Sequence, residues 1–238
     1  MMTHPSTIQA VVFDAYGTLF DVYAVTAKLE TFCPDQGAAI AQVWRDKQIE
    51  YSRLISLSDP SAAGSRYYEP FLSITQKALA YAVARFGQSL TPDQSDALMA
   101  QYAKLDAFAE CHGVLEQLKR QGLKTAILSN GDPEMLDGAV THAGLADLMD
   151  VVISVHAVRH FKTMPQAYDL VGQQLAVSPE HVLFVSGNGW DVLAAQWYGF
   201  KTCWINRAGW PVETLADAPH AQGQTLDAVL AAVGPDVT

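Results

Sequence analysis

The chain has 238 residues, 50% hydrophobic and 17% charged, with 15 Lys or Arg against 25 Asp or Glu and a formal net charge of −10. That much apolar material supports a packed core and excludes intrinsic disorder. So acidic a chain, with no basic run, is not suited to nucleic-acid phosphates or anionic lipid, both of which are held by clustered Lys and Arg. Residues 1–10 have neither the cationic start nor the apolar stretch of a signal peptide. No run approaches the roughly 18 apolar residues of a membrane span, so a cytoplasmic protein is expected. Cys33, Cys111 and Cys203 lie far apart without a CxxC pair, and three plain thiols are expected rather than a disulfide or a zinc cluster.

The first predicted strand, residues 9–13, is the run QAVVF, which delivers Asp14 into the turn Ala15-Tyr16-Gly17-Thr18. From about residue 22 to 105 the pattern is helical with almost no strand signal. One helical face runs through Ile40, Val43, Trp44, Tyr51, Leu54 and Ile55, and a second through Phe71, Ile74, Ala78, Leu79, Ala82, Val83 and Phe86, with a loop at 56–65 between them. Strands and helices then alternate: helix 114–121, strand 124–128, helix 133–143, strand 151–155, helix 165–175, strand 181–185, helix 190–198 and strand 201–205. Such alternation predicts an α/β fold, a doubly wound parallel sheet, with a helical cap domain inserted after the first strand. The expected boundaries are 8–21 and 106–238 for the core and 22–105 for the cap, with a frayed tail at 234–238.

Polar clusters sit at the ends of three predicted strands: Asp14 with Thr18, Ser129-Asn130, and Ser186-x-Asn188-x-x-Asp191. In a doubly wound sheet these converge on one edge. A carboxylate at the end of a buried strand, followed by a glycine-containing turn, is partly desolvated and aimed at the mouth of the sheet, where it serves as a nucleophile or caps the next turn. Asp132 is the natural N-cap of the helix that opens at Pro133.

The segment Phe13-Asp14-Ala15-Tyr16-Gly17-Thr18-Leu19-Phe20 resembles the nucleophile motif of the haloacid dehalogenase superfamily. Phosphatase members carry DxD there, with a second Asp as general acid and Mg²⁺ between carboxylates and phosphate. Here Tyr16 replaces that acid, and the segment 186–191 offers one acid, Asp191, where phosphatases usually have two. The oxygen cage for Mg²⁺ is depleted, and metal-free chemistry on carbon, with no cofactor, is the better reading. The segment 186–191 is similar to the S-x-N-x-W-D motif of the L-2-haloacid dehalogenases. Three further segments resemble other motifs of that family: 43–51, its arginine helix; 128–131, its second motif; and 161–168, its lysine segment. The five motifs stand in order along nearly the whole chain.

The resemblance implies that Asp14 attacks C2 of a short L-2-haloalkanoate in line, expels halide and forms an aspartyl ester. Water then releases the inverted D-2-hydroxyalkanoate. Lys162 and Thr18 keep Asp14 ionised, Arg45 receives the halide with Asn130 and Phe71 beside it, and Ser129 with neighbouring backbone N–H groups holds the substrate carboxylate. Asp191 orients Lys162 or polarises water, Ser186 and Asn188 hold the water or the ester, and Tyr168 bonds to the carboxylate network and counts among the substrate-binding residues. Tyr16 and Trp190 are implied as aromatic walls of the substrate pocket, whereas Trp44 reads as core. A homodimer is implied as well. The other readings are a phosphatase or phosphonate hydrolase, and a silent domain that binds small carboxylates. The sequence departs from the family pattern in several places. Proline is delayed to Pro165 after Lys162-Thr163-Met164, Asp46 follows Arg45, and His156 stands where an Asp is common. Gly187 and Gly189 flank Asn188, which is expected to loosen the pocket. His156 and His160 lack companions at metal-ligand spacing and are expected to be structural.

Overall fold

The computed structural model describes residues 8–102 and 104–234, so most of the stretch read for a leader, and the tail beyond 234, lie outside the described residues. Strand β1 (Ala10–Phe13) is buried along its whole length, as a continuous apolar run must be when helices cover both faces of a sheet. It lies between β2 (Lys124–Ser129) and β4 (Val182–Ser186), with β3 (Val151–Ser154) outside β2, and β5 (Lys201–Ile205) and β6 (Ala221–Gly223) outside β4. All the pairings are parallel. Phe13 is level with Ile127 on one side and Val185 on the other. Asp14 therefore emerges one residue on, level with Leu128 and Ser186, at the point where strand order reverses and open α/β sheets form their crevice.

Four helices lie between β1 and β2 before the core helix α5 (Cys111–Arg120): α1 (Ala24–Phe32), α2 (Gly37–Ser58), α3 (Phe71–Arg85) and α4 (Pro92–Tyr102). The outgoing and returning chains run side by side. Asp21 N donates to Asp106 O at 2.9 Å and Phe108 N to Leu19 O at 2.9 Å. The later helices α6 (Pro133–His142), α7 (Pro165–Leu175), α8 (Gly189–Tyr198) and α9 (Asp227–Val233) complete the core. Among the described residues no helix is long and apolar enough to cross a membrane, and all three cysteines are free and buried.

The structure corrects the sequence reading at several points. Helices α1, α4 and α9 and the short strand β6 have no counterpart in it, and α2 continues through residues assigned to a loop. Leu54 is exposed, while the buried side of α2 runs Ile40, Trp44, Gln48, Ser52, Ser56. That is a four-residue repeat, so the spacing holds. Its second half is polar because there the helix passes over a cavity and the core segment at Phe161, whose N–H donates to Ser56 Oγ at 2.8 Å.

Asp132 is a second correction. It occupies the N-cap position of α6 but makes no side-chain cap bond there. Its carboxylate reaches α3 instead, accepting from Phe71 N at 2.9 Å and Leu72 N at 2.8 Å. The first turn of α3 follows Pro70 and has no side-chain cap of its own, so a core residue supplies one. Asp132→Ala should destabilise the protein by about 1–2 kcal/mol, the usual worth of an N-cap. Urea unfolding with an unchanged midpoint would refute this clasp.

Candidate active site

The tip of β1 turns sharply because Gly17 takes φ +85°, a left-handed conformation suited to glycine. The loop after β4 packs directly on this turn. A Cβ on Gly187 would lie 2.4 Å from Gly17 O, so only glycine permits the approach, and it brings Gly187 N to 2.8 Å from Thr18 Oγ1. Gly187 therefore tightens the site that it was expected to loosen.

Asp14 receives three side-chain donors. Thr18 Oγ1 and Asn188 Nδ2 donate to its Oδ2 at 2.9 and 2.8 Å, and Lys162 Nζ to its Oδ1 at 3.0 Å. The same ammonium donates to Asp191 Oδ2 at 2.8 Å, and Tyr168 Oη donates to Asp191 Oδ1 at 2.8 Å. Lys162 is 1% exposed and Asp191 fully buried. Burial opposes the Lys162 charge, but Asp14 and Asp191 outweigh it and hold the ammonium pKa above that of a free lysine. Burial pushes the Asp191 carboxyl up and the charge of Asp14 adds to this, with Lys162 pulling in the other direction; the net effect is upward from the usual aspartate value. The displaced proline does not prevent Lys162 from reaching both acids. Pro165 opens α7, and Asn130 Oδ1 anchors the loop by accepting from Lys162 N at 2.9 Å.

A small cavity opens on Asp14, lined by Tyr16, Arg45, Gln48, Ile49, Ser52, Phe71, Ser129, Asn130 and Trp190. The room open to water inside is about 20 Å³, little more than the roughly 10–15 Å³ that one molecule needs. Arg45 reaches from α2 across to the core, donating to Asn188 Oδ1 at 3.2 Å and Tyr16 O at 3.3 Å. Through Asn188 the guanidinium is linked to Asp14. Phe71 and Tyr16 stack with ring centres 6.4 Å apart. Tyr16 Oη is buried without a partner among the described residues, and burial raises its pKa well above that of a free tyrosine. Arg53 lays its guanidinium over the Trp190 ring at 4.7 Å.

Of the residues singled out in the sequence, seven line the cavity: Asp14, Tyr16, Arg45, Phe71, Ser129, Asn130 and Trp190. Thr18, Lys162, Asn188 and Asp191 form the bonded layer beneath Asp14. Ser186 shapes the loop, its Oγ accepting from Asn188 N at 3.1 Å. Tyr168, expected to touch substrate, does not line the cavity. It sits on α7 behind Asp191 among Phe184, Tyr198 and Phe200. Gln48, Ile49 and Ser52 were missed as cavity residues, although their spacing of three, four and seven from Arg45 places them on its side of α2. Asp46 does not line the cavity and accepts from Gln42 Nε2 at 2.9 Å. His156 meets Tyr68 Oη at 3.1 Å and His160 meets Ser61 O at 2.6 Å. The described residues hold no group of three or more His, Cys, Asp or Glu suited to a metal.

A family model for haloacid dehalogenase-like hydrolases matches residues 8–199. An (S)-2-haloacid dehalogenase of Pseudomonas sp. (strain YL) is 39% identical over 223 residues, covering 94% of this chain and 93% of the relative. A solved L-2-haloacid dehalogenase, 49% identical, superposes with a TM-score of 0.92 over 95% of this chain and 99% of that one. The L-2-haloacid dehalogenase of Xanthobacter autotrophicus, solved with chloropropionic acid covalently bound, is 38% identical with a TM-score of 0.83, over 92% of this chain and 96% of that one.

Proposed function

The chain belongs to the haloacid dehalogenase-like hydrolases, and we propose that within them it hydrolyses short L-2-haloalkanoates to halide and the D-2-hydroxyalkanoate. One observation carries this reading. A nucleophilic carboxylate, Asp14, lies at one wall of a small cavity, braced by a buried ammonium, and the Arg45 guanidinium lies on the cap side.

The chemistry follows from the bonding. Asp14 Oδ2 accepts two donors and Oδ1 one, so Oδ1 keeps a lone pair for attack. Oδ1 forms a bond to C2 while the carbon–halogen bond breaks, and the electron pair leaves with the halide toward Arg45. Substrate charge is met on the other side by the Ser129 hydroxyl and backbone N–H groups near Asp14 and Asn130. The ester leaves Asp14 uncharged. Asp191, whose basicity burial has raised, then draws a proton from water as that water attacks the Asp14 carbonyl carbon. The adduct expels the product alkoxide, which takes the proton back from Asp191 and leaves as the hydroxy acid, and the carboxyl formed on Asp14 loses its own proton to restore the carboxylate. In this scheme Tyr168 is a positioning residue that holds Asp191 toward Lys162.

A cation is already built into the site: the Lys162 ammonium lies between Asp14 and Asp191 and pairs with both carboxylates. A phosphatase reading also needs a general acid at Tyr16, and that phenol has been made a weaker acid by burial. The same reading takes the protein as a cytoplasmic homodimer, with the exposed Leu54 and Leu57 of α2 supplying apolar surface. The test is chloride release from each enantiomer of 2-chloropropionate, before and after EDTA. We expect turnover of the L-enantiomer, unchanged by the chelator. Phosphate-ester turnover that depends on Mg²⁺, without chloride release, would replace this reading with the phosphatase one.

A further inference from the structure

Gln48 is fully buried on α2, one turn beyond Arg45, and both side chains line the same cavity. Its Nε2 donates to Thr75 Oγ1 at 3.0 Å and to Tyr102 Oη at 3.2 Å, while its Oε1 is buried with no partner. This is a poor use of four polar groups. A glutamine oxygen accepts two hydrogen bonds and each hydroxyl has a proton to donate, yet among the described residues neither hydroxyl donates to anything and the oxygen accepts nothing. Turning the amide over gives the oxygen and both hydroxyls a partner. Thr75 and Tyr102 then donate to Oε1, and the two protons of Nε2 are left for the cavity.

We propose that Gln48 is a halide-binding residue of the reaction, its amide turning over so that Nε2 joins Arg45 in receiving the departing halide. The assignment rests on the dehalogenase reading above. Halide leaves opposite the attacking carboxylate, toward the cap, and Gln48 shares helix and cavity wall with the cap's own cation. Ser129 and Asn130, by contrast, enter the cavity from the end of β2, on the same side as Asp14. An amide donor also suits a halide because it adds no charge to a pocket that must admit a carboxylate as well. Tyr102 and Thr75 thereby become positioning residues, holding Oε1 so that Nε2 faces inward.

The experiment compares Gln48→Met and Gln48→Glu with the parent at pH 8, each checked by thermal unfolding. Bromide titrated against tryptophan fluorescence is the direct probe, and kcat is measured on L-2-chloro- and L-2-bromopropionate. Gln48→Met should weaken bromide binding on the order of tenfold, the worth of a hydrogen bond to a charged partner. It should also lower kcat more for chloride, the poorer leaving group, than for bromide. Gln48→Glu keeps the acceptor for Thr75 and Tyr102 but turns a negative group inward, and should abolish bromide binding. The proposal is overturned if bromide binds the variants as it binds the parent. It is also overturned if both halogens lose kcat equally while propionate binding weakens, since the amide then serves the carboxylate. If Gln48→Met does not fold, Gln48→Glu decides the matter. A parent that releases halide from neither acid would sink the underlying reading alone, and the bromide titration would still test Gln48.

Discussion

Asp14→Asn should abolish halide release, lowering kcat on the order of 10⁴-fold or more, as expected when a nucleophile that acts in concert with its neighbours is removed. The amide is nearly the shape of the carboxylate, so Thr18 and Asn188 keep their places. The fold should persist as well, since Asp14 contributes charge that pushes the Asp191 carboxyl up, and neutralising it relieves that neighbour. Lost activity with intact folding therefore reports chemistry. A second measurement separates covalent attack from a base-assisted attack of water on C2. In a single turnover of the parent enzyme in ¹⁸O water, the product should carry unlabelled oxygen from Asp14, and the label should appear in the Asp14 carboxylate. Label in the first-turnover product would mean that water attacked C2 directly and that Asp14 is a general base.

The residues around that reaction were legible in the sequence to different degrees, for physical reasons. Asp14, Ser129 and Ser186 stand at the ends of apolar strands, and strand ends are fixed once the parallel sheet is recognised. Lys162 precedes a helix opened by proline, and its reach across the site depends on Asn130 holding the loop, a contact between residues 32 apart in sequence that only the structure displays. Gln48 and Ser52 were missed because an amphipathic pattern assigns buried positions to apolar residues. Where a helix passes over a polar cavity the rule inverts, and the four-residue repeat from Ile40 to Ser56 is then the surviving signal. Asp132 was read as a local cap because capping motifs are recognised within one helix, and nothing in the sequence links it to residues 71 and 72. Tyr168 was placed one layer too close to the substrate, since its spacing from Lys162 fixes a helix face but not the acid that stands in between.

Lys162→Met should remove activity and also cost stability, about 3–5 kcal/mol at neutral pH, the penalty for leaving buried charge without its partner. In the parent, one ammonium serves two carboxylates at 3.0 and 2.8 Å with almost no water to share the load. Without it, Asp191 faces Asp14 across a buried space, and burial together with the like charge pushes the Asp191 carboxyl further up in the folded state. A folded state whose carboxyls titrate higher than in the unfolded chain binds more protons between the two pKa values, so its stability falls as pH rises through that window. The deficit of Lys162→Met relative to the parent should therefore shrink on acidification from pH 7 to pH 5. Adding Asp191→Asn to Lys162→Met removes the second charge and should restore much of the lost stability at pH 7 while restoring none of the activity. That pattern, stability recovered and halide release still absent, would show that Lys162 and Asp191 are kept for the reaction rather than for the fold. If instead the double variant is less stable than Lys162→Met by the full cost of a second lesion, the two carboxylates do not interact across the site, and Asp191 lies outside the network that braces Asp14.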